Sequence, residues 1–268
     1  MESALACVDG QLVDESQAVI PVTDEGLLRG DGVFEVIRLY GGRPYALDAH
    51  LARLERSAAG LRLPIDLDAV RSDVLALLGS RERGGPASQP PAGDVLVRML
   101  VTRGGHRIVL IQAMPEFAPT LALEPITYAP ARLLDGIKSL SYAANMLASR
   151  LAREQEADEA LLVTPHGRVL ECPTSSFFLV RAGEVWTAPL SDHVLDSITR
   201  RVVLAVASVR EEPIEREALA DAQEAFVAAT PFEVRAVHRV GAHGYDAPGP
   251  RTREIAALVR DAIASELR

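Results

Sequence analysis

Apolar and polar positions in the first ~115 residues follow both strand-like and helix-like periods, which predicts a mixed α/β unit. The run VFEVIRLYGGRPYAL predicts a β-hairpin, because two β-rich runs flank the Gly41-Gly42 pair. Residues 47–61 repeat Leu and Ala every three to four positions, which predicts an amphipathic helix. We expect a second helix at 67–78, a strand pair at 11–22, further strands at 94–104 and 107–114, and a loop at 79–94.

The second half begins after Pro115 and Pro119, which predict a linker and therefore domains 1–116 and 117–268. Residues 142–157 predict a helix whose apolar face carries Ala144, Leu147, Ala148 and Leu151. A run of strands follows at 157–189. The remaining pattern predicts a helix from Ser197, a strand at 225–230 and a terminal helix at 252–267.

Composition narrows the class of protein. The 268 residues are 48% hydrophobic and carry a net charge of −9, so they can form a large core and offer no basic surface for nucleic acid or anionic lipid. No apolar run reaches the ~18 residues that a bilayer requires, and the first residues lack a signal-peptide pattern. We expect a cytoplasmic protein. Its two cysteines cannot form a disulfide framework or a zinc cluster.

One basic residue stands out. Of 28 basic residues, 27 are Arg, and Lys138 is the only lysine. A lysine amine can lose its proton when its pKa is lowered and then act as a nucleophile, whereas Arg stays protonated. Lys138 is therefore a candidate catalytic residue. The alternative is that Lys138 is an ordinary surface residue that has by chance not been replaced by Arg.

Other candidate groups follow predicted strands or begin predicted helices. Glu171 ends a strand and enters a polar turn, where a carboxylate is usually solvated. Ser197, Ile198 and Thr199 begin a helix, where free amides bind anions, although most such Ser and Thr residues only cap the helix. Thr230 follows a strand and is a further candidate anion contact.

Several arginines are candidate anion-binding residues. Arg53 lies near the buried edge of its predicted helix, where a guanidinium favours phosphate, although a surface salt bridge is the commoner role. Further cations lie on predicted turns and strands, and their spacing identifies none as a substrate contact: Arg29, Arg38, Arg98, Arg103 and Arg107. Nucleophile-elbow, Walker A and HExxH motifs are absent from the sequence, and the histidines are scattered.

Taken in order, these segments resemble the fold-type IV pyridoxal-phosphate (PLP) enzymes, the class IV aminotransferases. The resemblance rests on several motifs that cover nearly the whole chain: GLLRGDGVFEVIRLYGG, LDAHLARLERSA, TRGG, IKSLSYAANMLA, ADEALLVTPHGRVLECPTSSFFLV, ITRRVV and AFVAATPFEV. The resemblance implies a two-domain α/β (α+β) fold with PLP in the interdomain cleft.

The same resemblance implies roles for individual residues. Lys138 would hold PLP as a Schiff base, and Glu171 would face its pyridine nitrogen. The phosphate would be bound by a set comprising Arg53, Ser197, Ile198, Thr199 and Thr230. Tyr142 would line the cofactor pocket. The hairpin that contains Phe34 and Glu35 would line the substrate pocket. The resemblance does not identify the arginine that binds the substrate carboxylate. Arg29, Arg38 and Arg107 are candidates from their predicted loop positions, and the alternative for each is an ordinary surface charge.

The implied activity is a transaminase that moves an amino group between a branched-chain or D-amino acid and a 2-oxo acid. The first alternative is aminodeoxychorismate lyase, which releases pyruvate and 4-aminobenzoate with the same lysine. The second is a catalytically silent binding module, against which the retained lysine argues. The resemblance also implies a homodimer.

Overall fold

The structure is a computed structural model that describes residues 5–82 and 93–268. By its internal contacts the chain forms two units. The first contains Met1–Pro115 and Ile137–Ser141, and the second contains Glu116–Gly136 and Tyr142–Arg268. The first division therefore lies within one residue of the predicted 116/117 boundary. The segment that carries Lys138 was expected in the second domain. Backbone hydrogen bonds instead attach it to a strand of the first unit.

In the first unit, the described residues form one six-stranded antiparallel sheet and three α-helices. The strands are β1 (Leu5–Val8), β2 (Gln11–Asp14), β3 (Gly32–Tyr40), β4 (Arg43–Pro44), β5 (Val95–Thr102) and β6 (Arg107–Ala113), in the order β2-β1-β6-β5-β3-β4. The helices are α1 (Glu25–Arg29), α2 (Leu47–Gly60) and α3 (Leu67–Glu82).

The predicted hairpin and the predicted helix after it are both confirmed. Gly41 and Gly42 have positive φ angles of 54° and 86°, which glycine adopts without steric cost, and they join β3 to β4. Helix α2 buries its apolar stripe of Leu51, Leu54 and Ala58 and packs against β3. The first core therefore lies between the sheet and helices α2 and α3.

Two expectations for this unit change. Residues 11–22 do not form a strand pair, since β2 ends at Asp14 and pairs with the upstream strand β1. Asp14 instead caps a short 3-10 helix by accepting a hydrogen bond from the Ser16 amide. Helix α3 extends to Glu82 and so includes the start of the predicted 79–94 loop, whose residues 83–92 lie outside the described part of the chain.

The second unit contains a ten-stranded mixed sheet and three α-helices in its described residues. The strands are β7 (Leu121–Thr127), β8 (Glu159–Val163), β9 (Arg168–Val169), β10 (Ser176–Arg181), β11 (Glu184–Thr187), β12 (Val209–Glu211), β13 (Ile214–Glu215), β14 (Glu224–Ala229), β15 (Glu233–Val240) and β16 (His243–Gly244). The helices are α4 (Ala143–Glu154), α5 (Ile198–Val206) and α6 (Pro250–Glu266).

The order of this sheet is β12-β11-β10-β14-β15-β7-β8-β9-β13, with β16 on β15. Three pairs are parallel, namely β11 with β12, β15 with β7 and β7 with β8. Phe178 of β10 stacks on Phe226 of β14 with ring centroids 4.7 Å apart. Helix α4 packs on β7 and β8, and helices α5 and α6 pack on β14. Among the described residues, no helix combines the length and apolar character needed to cross a membrane.

The predicted apolar face of α4 is correct for Ala148 and wrong for Leu147 and Leu151. Leu147 and Leu151 are 50% and 38% exposed, whereas Ala148 and Ala152 are 4% and 0% exposed. Small side chains let the helix backbone approach the sheet closely, so the alanine stripe faces β7 and β8. A helical period shows that one face is apolar but does not choose between two adjacent apolar stripes.

The first unit buries one charged cluster beside its apolar core. Glu35 on β3 is 0% exposed, His50 on α2 is 1% exposed and Arg53 on α2 is 5% exposed. Arg53 Nε and Nη2 donate to the two carboxylate oxygens of Glu35 at 2.6 and 2.8 Å, and His50 Nδ1 lies 2.8 Å from Glu35 Oε2. Burial raises the pKa of Glu35, but Arg53 and His50 outweigh it and hold the pKa at about 2.

In the second unit, a buried carboxylate caps helix α6. Glu224 is 4% exposed, and its oxygens accept hydrogen bonds from the Arg251 and Thr252 amides at 3.0 and 2.7 Å. A Cβ at Gly249 would lie 2.1 Å from Glu224 Cδ. Glycine at this position therefore leaves room for the carboxylate that binds the start of the helix.

Replacing Gly249 with Ala should push the Glu224 carboxylate away from these two amides. We expect the free energy of unfolding to fall by about 2 kcal/mol, because a helix cap is lost and a buried charge loses its partners. Urea unfolding monitored by circular dichroism measures this change. Gly244→Ala is the matched control, since no atom lies within 4 Å of its Cβ position, and equal destabilisation of both variants would contradict the explanation.

The low pKa of Glu35 predicts how acid affects stability. The pKa is about 2 in the folded chain against an ordinary value of 4.5, so ionised Glu35 stabilises the fold above pH ~4.5 and this contribution disappears as the pH falls toward 2. The difference in unfolding free energy between wild type and Glu35→Gln should therefore be constant above pH ~5 and shrink below it. Urea titrations across this range measure the difference, and a pH-independent value would contradict the assignment.

Candidate active site

The segment Ile137–Ser141 joins β3 through an isolated antiparallel bridge between Val33 and Ser139. The Phe34 amide donates to the Lys138 carbonyl at 3.1 Å, and the Leu140 amide donates to the Gly32 carbonyl at 2.8 Å. These contacts fix the backbone at the carbonyl of the only lysine and directly after it.

A further contact comes from helix α2, whose Ser57 Oγ accepts a hydrogen bond from the Lys138 amide at 3.1 Å. Ser57 is itself 0% exposed. A helix and a strand of the first unit therefore both hold the backbone of Lys138.

Two glycines allow this close approach. A Cβ on Gly32 would lie 2.5 Å from the Val101 carbonyl oxygen and 2.6 Å from Leu140 Cδ1. Gly30 has a φ of +69°, and its carbonyl accepts a hydrogen bond from Ser141 Oγ at 3.1 Å. The RGDG sequence thus serves to bring the lysine segment against β3.

The Lys138 side chain is half-buried and lies over an aromatic ring. Its Nζ is 4.4 Å from the centroid of Phe34, which is 6% exposed. The guanidinium of Arg98 lies 5.5 Å from the same centroid. The face of an aromatic ring attracts cations, so Phe34 stabilises both charged groups at this place.

Glu35 takes a different position from the one expected for a pocket residue. Although it follows Phe34 on β3, its carboxylate is fully buried against Arg53 and His50. Arg53, the predicted phosphate ligand, therefore makes a two-point ion pair within the first unit. The sequence did contain a signal, because a charged residue inside the apolar run VFEVI predicts a buried charge that needs a partner.

The three predicted substrate arginines each bind a carboxylate. Arg29 pairs with Glu25 at the surface, Arg38 Nη2 pairs with Asp94 at 2.8 Å, and Arg107 Nε pairs with Asp73 at 2.8 Å. The Arg38 and Arg107 pairs join separate elements of the first unit, and nothing in the sequence spacing indicated them. The Arg29 pair lies within helix α1 at the i, i+4 spacing that favours such a pair.

Arg98 on β5 contacts an amide and an aromatic ring. Its Nε donates to the neutral amide oxygen of Gln112 at 2.7 Å, and its guanidinium lies over Phe34. The arginine of the TRGG motif, Arg103, binds Asp31 and the carbonyls of Leu61 and Arg62, which fixes the end of helix α2.

In the second unit, Glu171 lies just beyond β9 and is half-buried. Its Oε1 accepts a hydrogen bond from the Leu195 amide at 2.9 Å. Burial raises the pKa of Tyr128, and the negative charge of Glu171 raises it further. Burial likewise raises the pKa of Cys172, to which the charges of Glu159 and Glu171 add. Glu171 is thus held in place with its charge in a largely apolar setting.

Helix α5 begins as predicted, with Ser197 as its cap. Ser197 Oγ accepts a hydrogen bond from the Arg200 amide at 3.3 Å, and both Ile198 and Thr199 are 5% exposed. Arg200, which sequence reasoning did not single out, is 1% exposed. Its Nη2 donates to the Ala188 carbonyl at 2.9 Å and to Glu211 at 2.8 Å, which fixes the first turn of the helix.

Two predicted residues complete the set in this unit. Thr230 is half-buried and directly follows β14, the central strand on which α5 packs. Tyr142 precedes helix α4, and its hydroxyl donates to the Pro173 carbonyl, two residues after Glu171. Asn145 donates to the same carbonyl at 3.4 Å. Tyr142 therefore supports the turn that carries Glu171.

Comparison with known proteins identifies the family of the chain. Residues 32–240 match the family described as amino-transferase class IV. The chain is 30% identical over 274 residues to the D-alanine aminotransferase of Bacillus licheniformis, with 96% of each protein covered. It is 32% identical over 257 residues to a putative branched-chain-amino-acid aminotransferase of Methanocaldococcus jannaschii, covering 87% of this chain and 86% of that protein.

A solved structure supports the same conclusion. The PLP-form of the branched-chain amino acid aminotransferase from Thermobaculum terrenum is similar with a TM-score of 0.85 at 25% identity, covering 99% of this chain and 96% of that one. The fold, the family match and the relatives agree with the resemblance found in the sequence. The chain belongs to the class IV aminotransferases of fold type IV, which are PLP-dependent enzymes.

Proposed function

We propose that Lys138 is the catalytic residue of this aminotransferase. The observation that carries the proposal is the fixed backbone of the only lysine. The Lys138 carbonyl accepts a hydrogen bond from the Phe34 amide, and the Lys138 amide donates to Ser57 Oγ. Two residues later, the Leu140 amide donates to the Gly32 carbonyl. A reactive amine must be placed accurately, and a segment bound to a strand provides that placement. Phe34, whose ring lies beneath the amine, limits where the side chain can move.

The chemistry of the side chains fits PLP. An aldehyde requires an amine, a pyridine nitrogen requires an acidic partner, and a phosphate requires cationic and N–H donors. Lys138 supplies the amine, Glu171 the carboxylate, and Arg53 a guanidinium. Thr199, Thr230 and the Ile198 amide at the start of α5 are the remaining proposed phosphate donors. The Ser197 amide donates to the Leu195 carbonyl at 2.8 Å, so Ser197 contributes as the cap of this helix. Tyr142 is the proposed lining residue of the cofactor pocket.

When bound, PLP supplies an electron sink for the electrons released as the substrate loses its Cα proton. Lys138 has a second task in this scheme. Its neutral amine would take the proton from the substrate Cα and would deliver it to the carbon that carried the cofactor aldehyde, so that the proton ends there when the amino group is transferred. Glu171 would face the pyridine nitrogen, where an ionised carboxylate would favour the protonated ring. The Leu195 amide holds this carboxylate in one orientation.

The substrates are an amino acid and a 2-oxo acid, which follow from the family. The relatives act, by name, on D-alanine and branched-chain amino acids, so we propose a donor with a small or branched apolar side chain. Phe34 is the proposed apolar contact. Arg98 is better placed than Arg29, Arg38 or Arg107 to bind the carboxylate, because it shares the Phe34 ring with Lys138.

The role of Lys138 is tested by replacement and by chemical trapping. Lys138→Ala should lower the rate of amino transfer by at least about 1,000-fold, since the covalent attachment and the proton transfer are both lost. Borohydride reduction of the wild-type holoenzyme, followed by peptide mass spectrometry, should place the cofactor on residue 138. The Lys138→Arg variant keeps the positive charge but should show no cofactor attached to residue 138 after reduction. An alanine variant within tenfold of wild type would contradict the proposal.

A donor screen tests the substrate class. With 2-oxoglutarate as acceptor, D-alanine and the L-branched-chain amino acids are compared, and each new amino acid is resolved on a chiral column. We expect transfer from at least one of these donors and none in the absence of an acceptor. Pyruvate release from aminodeoxychorismate without an acceptor would instead support the lyase alternative, which the named relatives do not favour.

We also propose that the chain forms a homodimer. Four large apolar side chains within residues 19–28 are more than half exposed, namely Val19, Val22, Leu27 and Leu28. Helix α4 exposes Leu147 and Leu151 as well. Clustered exposed apolar residues are typical of surfaces that bind a partner, and a second copy is the occupant that the family implies. The predicted cytoplasmic location stays a prediction.

Light scattering after size-exclusion chromatography tests the dimer. Wild type should have about twice the 28.8 kDa mass of one chain, and the double variant Leu27→Glu, Leu28→Glu should shift toward the monomer because two apolar contacts become charged. Leu258→Glu, at an exposed position of α6, is the matched control and should stay dimeric. A monomeric wild type would overturn the proposal.

A further inference from the structure

Glu35 places both of its carboxylate oxygens against the guanidinium of Arg53. Nε donates to Oε1 at 2.6 Å and Nη2 donates to Oε2 at 2.8 Å, which is a side-on, two-point contact. This contact uses two of the five N–H groups of the guanidinium. Because the group is planar, the two bonds fix its plane, and the other three N–H groups point away from Glu35.

The carboxylate is itself held from another direction. His50 Nδ1 lies 2.8 Å from Oε2, and since an ionised carboxylate only accepts hydrogen bonds, Nδ1 carries the proton. Burial lowers the pKa of His50, and the charges of Arg53 and Lys138 lower it further, which together outweigh the hydrogen bond and the charge of Glu35 that raise it. The Glu35 carboxylate is therefore restrained by the guanidinium of Arg53 and by the imidazole of His50.

Stability alone does not account for this cluster. A buried ion pair contributes little more than apolar side chains of similar volume, because both charges lose their hydration. The neighbouring core positions on β3 and α2, Ile37 and Leu54, are apolar and 0% exposed. The cluster of Glu35, His50 and Arg53 therefore points to a role other than stability. That role is to hold a charged side chain in one orientation.

The position of Glu35 on β3 connects it to the lysine segment. Phe34, the preceding residue, donates its amide to the Lys138 carbonyl. The same strand thus fixes the backbone of Lys138 through one residue and the guanidinium of Arg53 through the next. A shift of β3 would move both groups together, so their relative placement inside the first unit is preserved.

We propose that Glu35 is a positioning residue, which holds the guanidinium of Arg53 in the orientation that binds the cofactor phosphate. His50 supports it by restraining the carboxylate. The inference rests on the proposed role of Arg53 in binding the phosphate. Glu35 itself does not contact the cofactor, and its effect passes entirely through Arg53.

The test compares two ligands that differ only in the phosphate. Equilibrium dialysis of the apoprotein gives dissociation constants for PLP and for pyridoxal. The dissociation constant of pyridoxal divided by that of PLP is the ratio that measures the contribution of the phosphate, and it falls when a phosphate contact is lost. Arg53→Gln should lower this ratio by roughly ten- to a hundredfold, since a charge-assisted contact is lost. Glu35→Gln, which has nearly the same shape, should lower it by about tenfold because one of the two orienting bonds is weakened.

The double variant decides whether Glu35 acts through Arg53. If it does, Glu35→Gln combined with Arg53→Gln should give the same ratio as Arg53→Gln alone, because there is no longer a guanidinium to orient. Asp73→Asn is the matched control. It breaks another buried carboxylate–arginine pair of the first unit, with Arg107, and should lower the melting temperature without changing the ratio.

Each result has a distinct meaning. An unchanged ratio in Arg53→Gln overturns the proposed role of Arg53, and the inference with it. A lowered ratio in Arg53→Gln with an unchanged ratio in folded Glu35→Gln overturns the inference alone, as does an additive double variant. Circular dichroism confirms folding. If Glu35→Gln does not fold, His50→Gln, which removes only the restraint on the carboxylate, takes its place and should lower the ratio by about threefold.

Discussion

The backbone hydrogen bonds between strand β3 and the segment Ile137–Ser141 determine where the only lysine lies. Two of them join Gly32 and Phe34 to the lysine segment, and the side chain of Ser57 adds a third. Glycine at position 32 is required because any side chain there would meet the Val101 carbonyl. The backbone of Lys138 is therefore positioned by hydrogen bonds to the main chain of a sheet.

In both units, charged side chains are held in place by hydrogen bonds from neighbouring strands, helices and loops. In the first unit, Glu35 and His50 hold Arg53, and a strand and a helix contribute the three side chains. In the second unit, Arg200 fixes the first turn of α5, and the Leu195 amide holds Glu171. Groups that meet a small ligand must be held to a fraction of an ångström, so such supporting contacts accompany them.

Much of this arrangement was predictable from the sequence, for reasons that differ between elements. The Gly41-Gly42 hairpin and helix α2 were predicted because local turn chemistry and a three-to-four-residue period determine them. Lys138 was identifiable because it is the only lysine in an arginine-rich chain. The family was identifiable because its motifs occur in order along most of the sequence.

What escaped prediction depends on partners that are distant in sequence. The carboxylates that bind Arg38 and Arg107 come from Asp94 and Asp73, and nothing in the spacing indicated these pairs. The buried face of α4 depended on which apolar stripe allows close packing, which a period does not reveal. The attachment of the lysine segment to the first unit likewise required knowledge of sheet pairing, which joins residues roughly a hundred positions apart.

That long separation has a consequence for synthesis of the chain. A ribosome releases the residues of β3 well before those of the lysine segment, and contacts between distant residues form late because closing a long loop costs entropy. During translation the Phe34 amide and the Gly32 carbonyl have no lysine segment to bind until residue 141 has left the exit tunnel. One edge of β3 in the nascent first unit therefore stays without its hydrogen-bond partners until the lysine segment has been synthesised. That segment is synthesised after the first residues of the second unit.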